Sequence, residues 1–347
     1  MPSLPATVPT PEALDELLSR PSDALVEDLR ALDGDILVLG AGGKVGPTLT
    51  RMAHRALAAA GATATGPASR RVIAVASRPL PALAREGIET RACDLLDLDA
   101  VRALPRAPNV VFLAGRKFGS TGAEHLTWAT NVVVPYHVAS TFTDSRIVVF
   151  STGCVYPLSD VTAGGASEAT PPGPVGEYAQ SCLGRERMFD HASATRGTRV
   201  AHIRLNYAVE LRYGVLVDIA LKVWNEVPID LTTGYANAIW QGDACDQALR
   251  SLRLASSPPL VLNVTGPETF AVREVAARFG QLLGRTPIFE GRENGRGYLS
   301  DATRANALFG NPSVPLGRVI EWVADWVRRG GELLDKPTHF ETQDGRY

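Results

Sequence analysis

An apolar run, Ile36-Leu-Val-Leu39, leads into Gly40-Ala-Gly-Gly43-Lys-Val-Gly46, and the chemistry this spacing suits is phosphate binding. Glycines at every third position let the chain turn sharply and bring backbone N–H groups close to a pyrophosphate. The helix that follows then offers its positive end to the phosphates. Such a turn is sometimes only structural; between a strand and an amphipathic helix it meets the context a dinucleotide site requires. Lys44 and Val45 complete it. The next strand ends in Ala76-Ser77-Arg78, where an acid would accept hydrogen bonds from the ribose and select NAD. Ser77 and Arg78 offer a hydroxyl and a planar cation instead, which suit a 2′-phosphate and favour NADP. Arg78 would equally serve as an exposed loop residue. Asp94-Leu95 either bracket an adenine, or Asp94 caps the turn that follows. Ala114 and Gly115 give the small side chains a dinucleotide needs beside it. Arg116 and Lys117 follow at once, near where phosphates or an acidic substrate would lie, unless they are ordinary solvated cations.

These residues need strands that end where ligands lie. Strands at 36–39, 72–76, 89–93, 109–114, 146–150 and 200–205, most of them apolar, alternate with helices at 45–60, 123–141 and 177–195. The connection at 61–70 is unusually long. Continuous apolar strands alternating with helices predict an α/β fold with a doubly wound parallel sheet, in which ligands bind at the carboxyl ends of the strands. The last third carries helices at 243–254, 271–284 and 316–330 and a strand at 260–264, and is otherwise irregular. Ahead of the sheet, Thr10-Pro11-Glu12 reads as an N-cap with proline at the first helical position, and Leu14, Leu17 and Leu18 share a face. A second helix starts at Ser22, with Leu25, Val26, Leu29 and Leu32 as its apolar stripe. A docked structural extension explains both.

Apolar residues make up 45% and charged residues 21% of the 347, an ordinary globular balance. Lys plus Arg (35) nearly matches Asp plus Glu (37), so no field favours nucleic acid or an anionic membrane surface as partner. The four cysteines, 93, 154, 182 and 245, lack close metal-ligand spacing and read as free thiols, with no metal site implied. No apolar run reaches the ~18 residues of a membrane span, and the N-terminus lacks a signal-peptide pattern. The expected location is the cytoplasm.

Further residues extend the pattern: Asn131 in Thr130-Asn-Val-Val133, Phe150-Ser-Thr-Gly-Cys-Val-Tyr-Pro157, Tyr178 in a helix, Asp243 opening another, and Asn263-Val-Thr-Gly-Pro-Glu268. With the glycine turn, Asp94-Leu95 and Leu113-Ala114-Gly115, this set resembles the extended short-chain dehydrogenases, the NAD-dependent epimerase/dehydratase group. It spans residues 35–330 in the expected order. The resemblance implies a Rossmann domain at 35–208, with 235–266 returning to it. It also implies a smaller substrate lobe at 209–234 and 267–332. The helical extension, 1–34, and a tail, 333–347, lie outside. A homodimer built on the helices near 123–141 and 177–195 is implied as well. Cofactor contacts fall to Gly40, Gly43, Lys44, Val45, Gly46, Ser77, Arg78, Asp94, Leu95, Ala114, Gly115, Asn131 and Tyr178. Thr152, with Ser151 beside it, takes the hydroxyl position that holds the substrate oxygen, and Tyr178 the proton-transfer position.

One position departs. Where the family places a lysine, four residues after the tyrosine, this chain has Cys182. A free phenol ionises near pH 10, leaving about 0.1% phenolate at pH 7. The family's lysine shares the tyrosine's helix face, lowers that pKa and holds the nicotinamide ribose. A neutral thiol does neither, and a thiolate would repel a phenolate. Arg185, Lys44 and Lys117 are the cations to consider as substitutes. The substrate side departs too, with Arg204-Leu-Asn206-Tyr-Ala-Val-Glu-Leu-Arg-Tyr-Gly214 and Asn237-Ala-Ile-Trp-Gln-Gly-Asp243 in place of more usual runs. Arg116, Lys117, Asn206, Tyr207, Trp240 and Arg292 are its candidate substrate residues. The function expected is an NAD(P)-dependent oxidoreductase or epimerase acting on a sugar, sugar acid or sugar nucleotide. The alternatives are a catalytically degenerate NAD(P)-binding sensor or scaffold, and a protein using Cys182 as a reactive thiol.

Overall fold

The computed structural model describes residues 4–61, 69–336 and 338–346. Seven parallel strands form one sheet: β1 (Ile36–Leu39), β2 (Val72–Ala76), β3 (Glu89–Ala92), β4 (Asn109–Phe112), β5 (Arg146–Thr152), β6 (Arg199–Leu205) and β7 (Leu260–Val264). Their order is β7-β6-β5-β4-β1-β2-β3. Ile36 pairs with Val72 on one side and Asn109 on the other, so strand order reverses at β1. The crevice beyond β1 and β4 is therefore the switch point where ligands bind in such sheets. β1, β2 and β4 are buried throughout because helices cover both faces, which is why they read as unbroken apolar runs. Strand β3 closes one edge with charged residues, which discourages pairing with another chain.

Helix α1 (Pro11–Leu18) is capped by Thr10 and α2 (Asp23–Arg30) by Ser22, whose hydroxyls accept from Ala13 N and Leu25 N. Helix α3 (Gly46–Ala59) follows the glycine turn. Before α4 (Val134–Thr141) the helical stretch starting at Glu124 widens into a π turn at Ala129–Val133. Pro135 has no N–H to offer the Asn131 carbonyl and its ring crowds that oxygen, which accounts for the widening. Helix α5 (Gly176–Arg196) carries Tyr178. Beyond the sheet, α6 (Val215–Trp224), α7 (Gln241–Arg250), α8 (Val272–Leu283) and α9 (Leu316–Arg328) follow, and α6, α8 and α9 enclose a second core around Trp322 and Trp326.

Several boundaries move. The strand expected at 109–114 stops at Phe112, whereas the one expected at 146–150 runs on to Thr152. Asp243 lies inside the first turn of α7, which opens at Gln241; its carboxylate accepts from Ser313 Oγ and Val314 N. Most of the long connection at 61–70 lies outside the described residues. No helix among the described residues is long and apolar enough to cross a membrane.

The N-terminal helices divide between the two cores. Leu14 and Leu18 join the core of α6, α8 and α9, while Leu25 and Leu29 join the core beneath the sheet with α3 and α7. Asp15 bridges them, accepting from Arg51 of α3 at 3.2 Å and from Arg212 at 2.9 Å. Leu14 is fully buried. Leu14→Ala should cost about 2–5 kcal/mol of unfolding free energy, read from urea denaturation. A loss below about 0.5 kcal/mol would show that α1 is not part of the folded core.

Candidate active site

A cleft of about 710 Å³ opens at the carboxyl ends of β1, β4, β5 and β6, with the glycine turn, Thr152 and Tyr178 on one wall or another. In the turn, Gly40 has φ 92° and abuts β4 so closely that a Cβ would lie 2.5 Å from Ala114 N. A Cβ on Gly46 would lie 2.4 Å from the Ala41 carbonyl, so α3 begins tight against the turn. Gly42 and Gly43 are exposed. No side chain caps α3, leaving its first N–H groups facing the cleft side of the turn. These features form a cradle only glycine permits, and they fit a pyrophosphate.

Around this cradle, Ser77 and Arg78 stand exposed just past β2. Asp94 caps its own turn, accepting from Leu96 N at 2.9 Å, and the Leu95 carbonyl lies 3.2 Å from His137 Nδ1. Asn131 corrects an expectation. It is fully buried and saturated: Oδ1 accepts from Arg116 N and Arg185 Nη2, both at 2.8 Å, while Nδ2 donates to the Arg116 carbonyl and Ser181 Oγ, both at 2.9 Å. It has nothing left for a cofactor and instead fixes the loop after β4. Gly115 is small for a related reason, since a Cβ there would meet Arg185 Nη2 at 2.4 Å.

Thr152 ends β5, and its Oγ1 accepts from Cys154 N at 3.1 Å. It is also hydrogen-bonded to the phenol of Tyr178, which is half-buried. Burial pushes the Tyr178 phenol well above its ordinary 10, and the Cys182 and Cys154 thiols add to this; Arg185 and the Thr152 hydroxyl act the other way. Cys182 is fully buried among Val155, Tyr156 and Ala166, and burial raises its own pKa. A sealed thiol held in its neutral form is packing, which removes the reactive-thiol reading. Arg185 is committed elsewhere, donating to the Phe150 carbonyl at 2.7 Å as well as to Asn131. Ser151 turns away from the cleft's centre to donate to Glu186 at 2.6 Å.

Two lysines enter the cleft from the cofactor-side loops. Lys44 Nζ lies 3.3 Å from the centroid of the Tyr213 ring and 4.2 Å from that of Phe118, with no hydrogen-bond partner among the described residues. Burial, then the charges of Lys117 and Lys336, lower its pKa to about 7. Lys117 Nζ donates to the Thr338 carbonyl at 3.3 Å and lies 5.7 Å from the centroid of the Tyr178 ring. Burial lowers its pKa too, against the thiols of Cys154 and Cys182 and the carboxylate of Asp218.

On the substrate side, Asn206 and Tyr207 line the cleft, but both N–H groups of Asn206 are spent on Asn237 Oδ1 at 2.6 Å and the Tyr298 carbonyl at 2.8 Å. Trp240 and Arg292 do not reach it. Trp240 is packed in the lobe core, 5.5 Å from Trp322 ring to ring, and Arg292 is exposed in a turn outside the cleft. Sequence reasoning missed Tyr213, Glu210, and the tail residues Lys336, Thr338 and His339, all in the cleft wall. They sit in no motif; the tail is held by Thr338 N donating to Asp218 at 2.7 Å and by burial of Phe340. Among the described residues no cluster of His, Cys, Asp or Glu could hold a metal ion.

Residues 36–209 match the model of the NAD dependent epimerase/dehydratase family. No curated protein matches the chain by sequence. Among solved structures, MoeE5 in complex with UDP-glucose and NAD superposes with a TM-score of 0.66 at 22% identity, covering 86% of this chain and 99% of that one. The UDP-glucose 4-epimerase of Thermotoga maritima gives 0.68 at 16% identity, covering 85% and 99%. The UDP-glucuronic acid 4-epimerase of Bacillus cereus, in complex with NAD, gives 0.66 at 17%, covering 85% and 96%. These likenesses are of fold. With the family match over half its length and the glycine turn, Thr152 and Tyr178 in one cleft, the chain belongs to the NAD-dependent epimerase/dehydratase family.

Proposed function

We propose that this protein binds NAD or NADP in the cleft and acts as an oxidoreductase or epimerase on a sugar nucleotide, sugar or sugar acid. The observation that carries the reading is the hydrogen-bonded pair of Thr152 and Tyr178 at the end of β5, in the same cleft as the glycine turn. Sugar nucleotides lead because proteins of the same fold hold UDP-sugars. Ser77 and Arg78, exposed past β2, favour NADP over NAD.

When bound, the nicotinamide supplies a hydride acceptor for a substrate carbon. Tyr178 receives the proton of the substrate hydroxyl as the carbonyl forms, and Thr152 hydrogen-bonds the same oxygen. Burial holds the phenol protonated, so taking that proton requires positive charge nearby. A second reading, a nucleotide-binding sensor or scaffold without turnover, draws on the sealed Cys182 at the usual lysine position.

The deciding experiment titrates the purified protein with NAD and NADP, then assays UDP-sugars with Tyr178→Phe alongside. Turnover lost by about 100-fold or more in the variant, with cofactor affinity kept, is expected. Binding without turnover would transfer support to the second reading, and failure to bind either nucleotide sinks both.

Lys44 gives a pH-dependent signature. Its pKa of about 7 rises again when a diphosphate approaches the glycine turn. At about pH 8 free Lys44 is mostly neutral, so binding takes up a proton; near pH 6 it is already charged and uptake vanishes. Calorimetric titrations in buffers of different ionisation enthalpy measure this. Buffer-independent enthalpies at the higher pH would exclude Lys44 from the anion site.

Leu126, Trp128, Val133 and Tyr136 are exposed along the helical stretch before and within α4. We assign this face to a homodimer, in keeping with the family resemblance. Tyr136→Glu should give a monomer by light scattering, and a wild-type monomer at micromolar concentration would refute the assembly.

A further inference from the structure

We propose that Lys117, carried in from the loop after β4, supplies Tyr178 with the ammonium group that Cys182 cannot. This rests on the reading of Tyr178 as the acid/base. Lys117 is a positioning residue, acting through the tyrosine.

The loop is built to hold it. Asn131 binds Arg116 on both sides, through its N–H and its carbonyl, and Ser120 Oγ donates to the Lys117 carbonyl at 2.5 Å. Arg116 Nη2 closes the loop on the Gly119 carbonyl at 2.9 Å. The side chain is thereby aimed across the cleft, where its Nζ meets the Thr338 carbonyl of the tail and lies beside the Tyr178 ring. A positive charge within roughly 4–6 Å of an acid favours its ionised form, and Nζ stands 5.7 Å from the centre of the ring that bears the phenol.

Of the other cations, Arg185 also favours the ionised phenol, but it is fixed on the Phe150 carbonyl and Asn131, and Lys44 stands over Tyr213 and Phe118. The groups facing Tyr178 are Cys182 and Arg185 of its own helix, Thr152 at the end of β5, Cys154 just after it, and Lys117. Those facing Lys117 are Cys154, Cys182, Asp218 of α6, Lys44 of the glycine turn, and Thr338 of the tail. Burial depresses the ionisation of Lys117, so its charge is present at low pH and is lost as pH rises, before lysine's ordinary 10.5. Activity should therefore fall on the alkaline side below that value.

The test compares wild type, Lys117→Met, Lys117→Arg and Lys117→Met combined with Cys182→Lys, each checked for folding by thermal melt and for cofactor binding by titration. Activity is read as a pH profile of kcat/KM on the UDP-sugar that wild type converts. Expected are a loss of about 100-fold in Lys117→Met and recovery in Lys117→Arg, with the alkaline limb moved upward because guanidinium stays charged. Partial recovery with lysine at 182 would add to this. Lys117→Met within about threefold of wild type, with an unchanged profile, overturns the inference while leaving the family chemistry standing. Loss that neither arginine nor the relocated lysine restores also overturns it, as a structural role. A wild type that binds no nucleotide defeats the functional reading itself, independently of the variants.

Discussion

Glu186 and Arg204 form a buried bidentate pair at 3.0 and 2.7 Å, and the placement of Tyr178 follows from it. Taking two charges out of water costs several kcal/mol per ion, so such a pair persists only where its other hydrogen bonds are also met. Here they are. Ser151 of β5 donates to Glu186, and Arg204 of β6 donates to the Tyr156 hydroxyl at 2.8 Å, which donates to Asn263 of β7 at 2.8 Å. The network ties α5 to the carboxyl ends of three adjacent strands. Removing one member would strand a buried charge, at a cost of about 3–5 kcal/mol. Glu186 lies just over two helical turns beyond Tyr178, so fixing its rotation brings the phenol to Thr152. The neighbouring Arg185 faces inward as well and carries the register on to Asn131 and the loop after β4.

Electrostatics in the cleft run against the nearly neutral balance of the whole chain. Lys44, Lys117 and Lys336 share one enclosed space, with Arg116 and Arg212 also in its walls. Burial, then the charges of Lys117 and Lys336, bring Lys44 to about 7, against the carboxylate of Asp218. A protein bears such crowding at low cost only when an anion relieves it. The uncapped start of α3 pulls in the same direction, since its dipole and free N–H groups favour negative charge. Both features favour an anion at the glycine turn.

The sheet was legible because its inner strands are buried on both faces, so 36–39 and 72–76 stand out as apolar runs with the bounds the structure gives, as does the largely apolar edge strand at 260–264. The caps at Thr10 and Ser22 were legible because their chemistry is local. The glycine turn was legible for the same reason: a Cβ at Gly40 or Gly46 has nowhere to go. What escaped depends on side chains meeting from distant positions. An asparagine in a motif can face a ligand or saturate itself on the backbone, and Asn131 does the latter. Tryptophan offers one polar atom and much apolar area, so sequence does not tell a cleft wall from a core; Trp240 went to the core. The tail lay beyond any motif, yet Thr338 and Lys336 reach the cleft because Asp218 and a buried Phe340 anchor it.

Cys182 is better understood from its surroundings than from its distance to Tyr178 along the helix. It sits in a small apolar cluster with Val155, Tyr156 and Ala166, against which Tyr178 packs. A lysine there would add another ammonium beside Lys117, and like charges close together in an enclosed site repel. A small neutral side chain avoids that conflict. Because the field of an ammonium depends on where its nitrogen lies and not on which element delivers it, a lysine on α5 and one on the loop after β4 are interchangeable in principle. Asn131, by fixing the loop that carries Lys117, bears on any such role of that lysine.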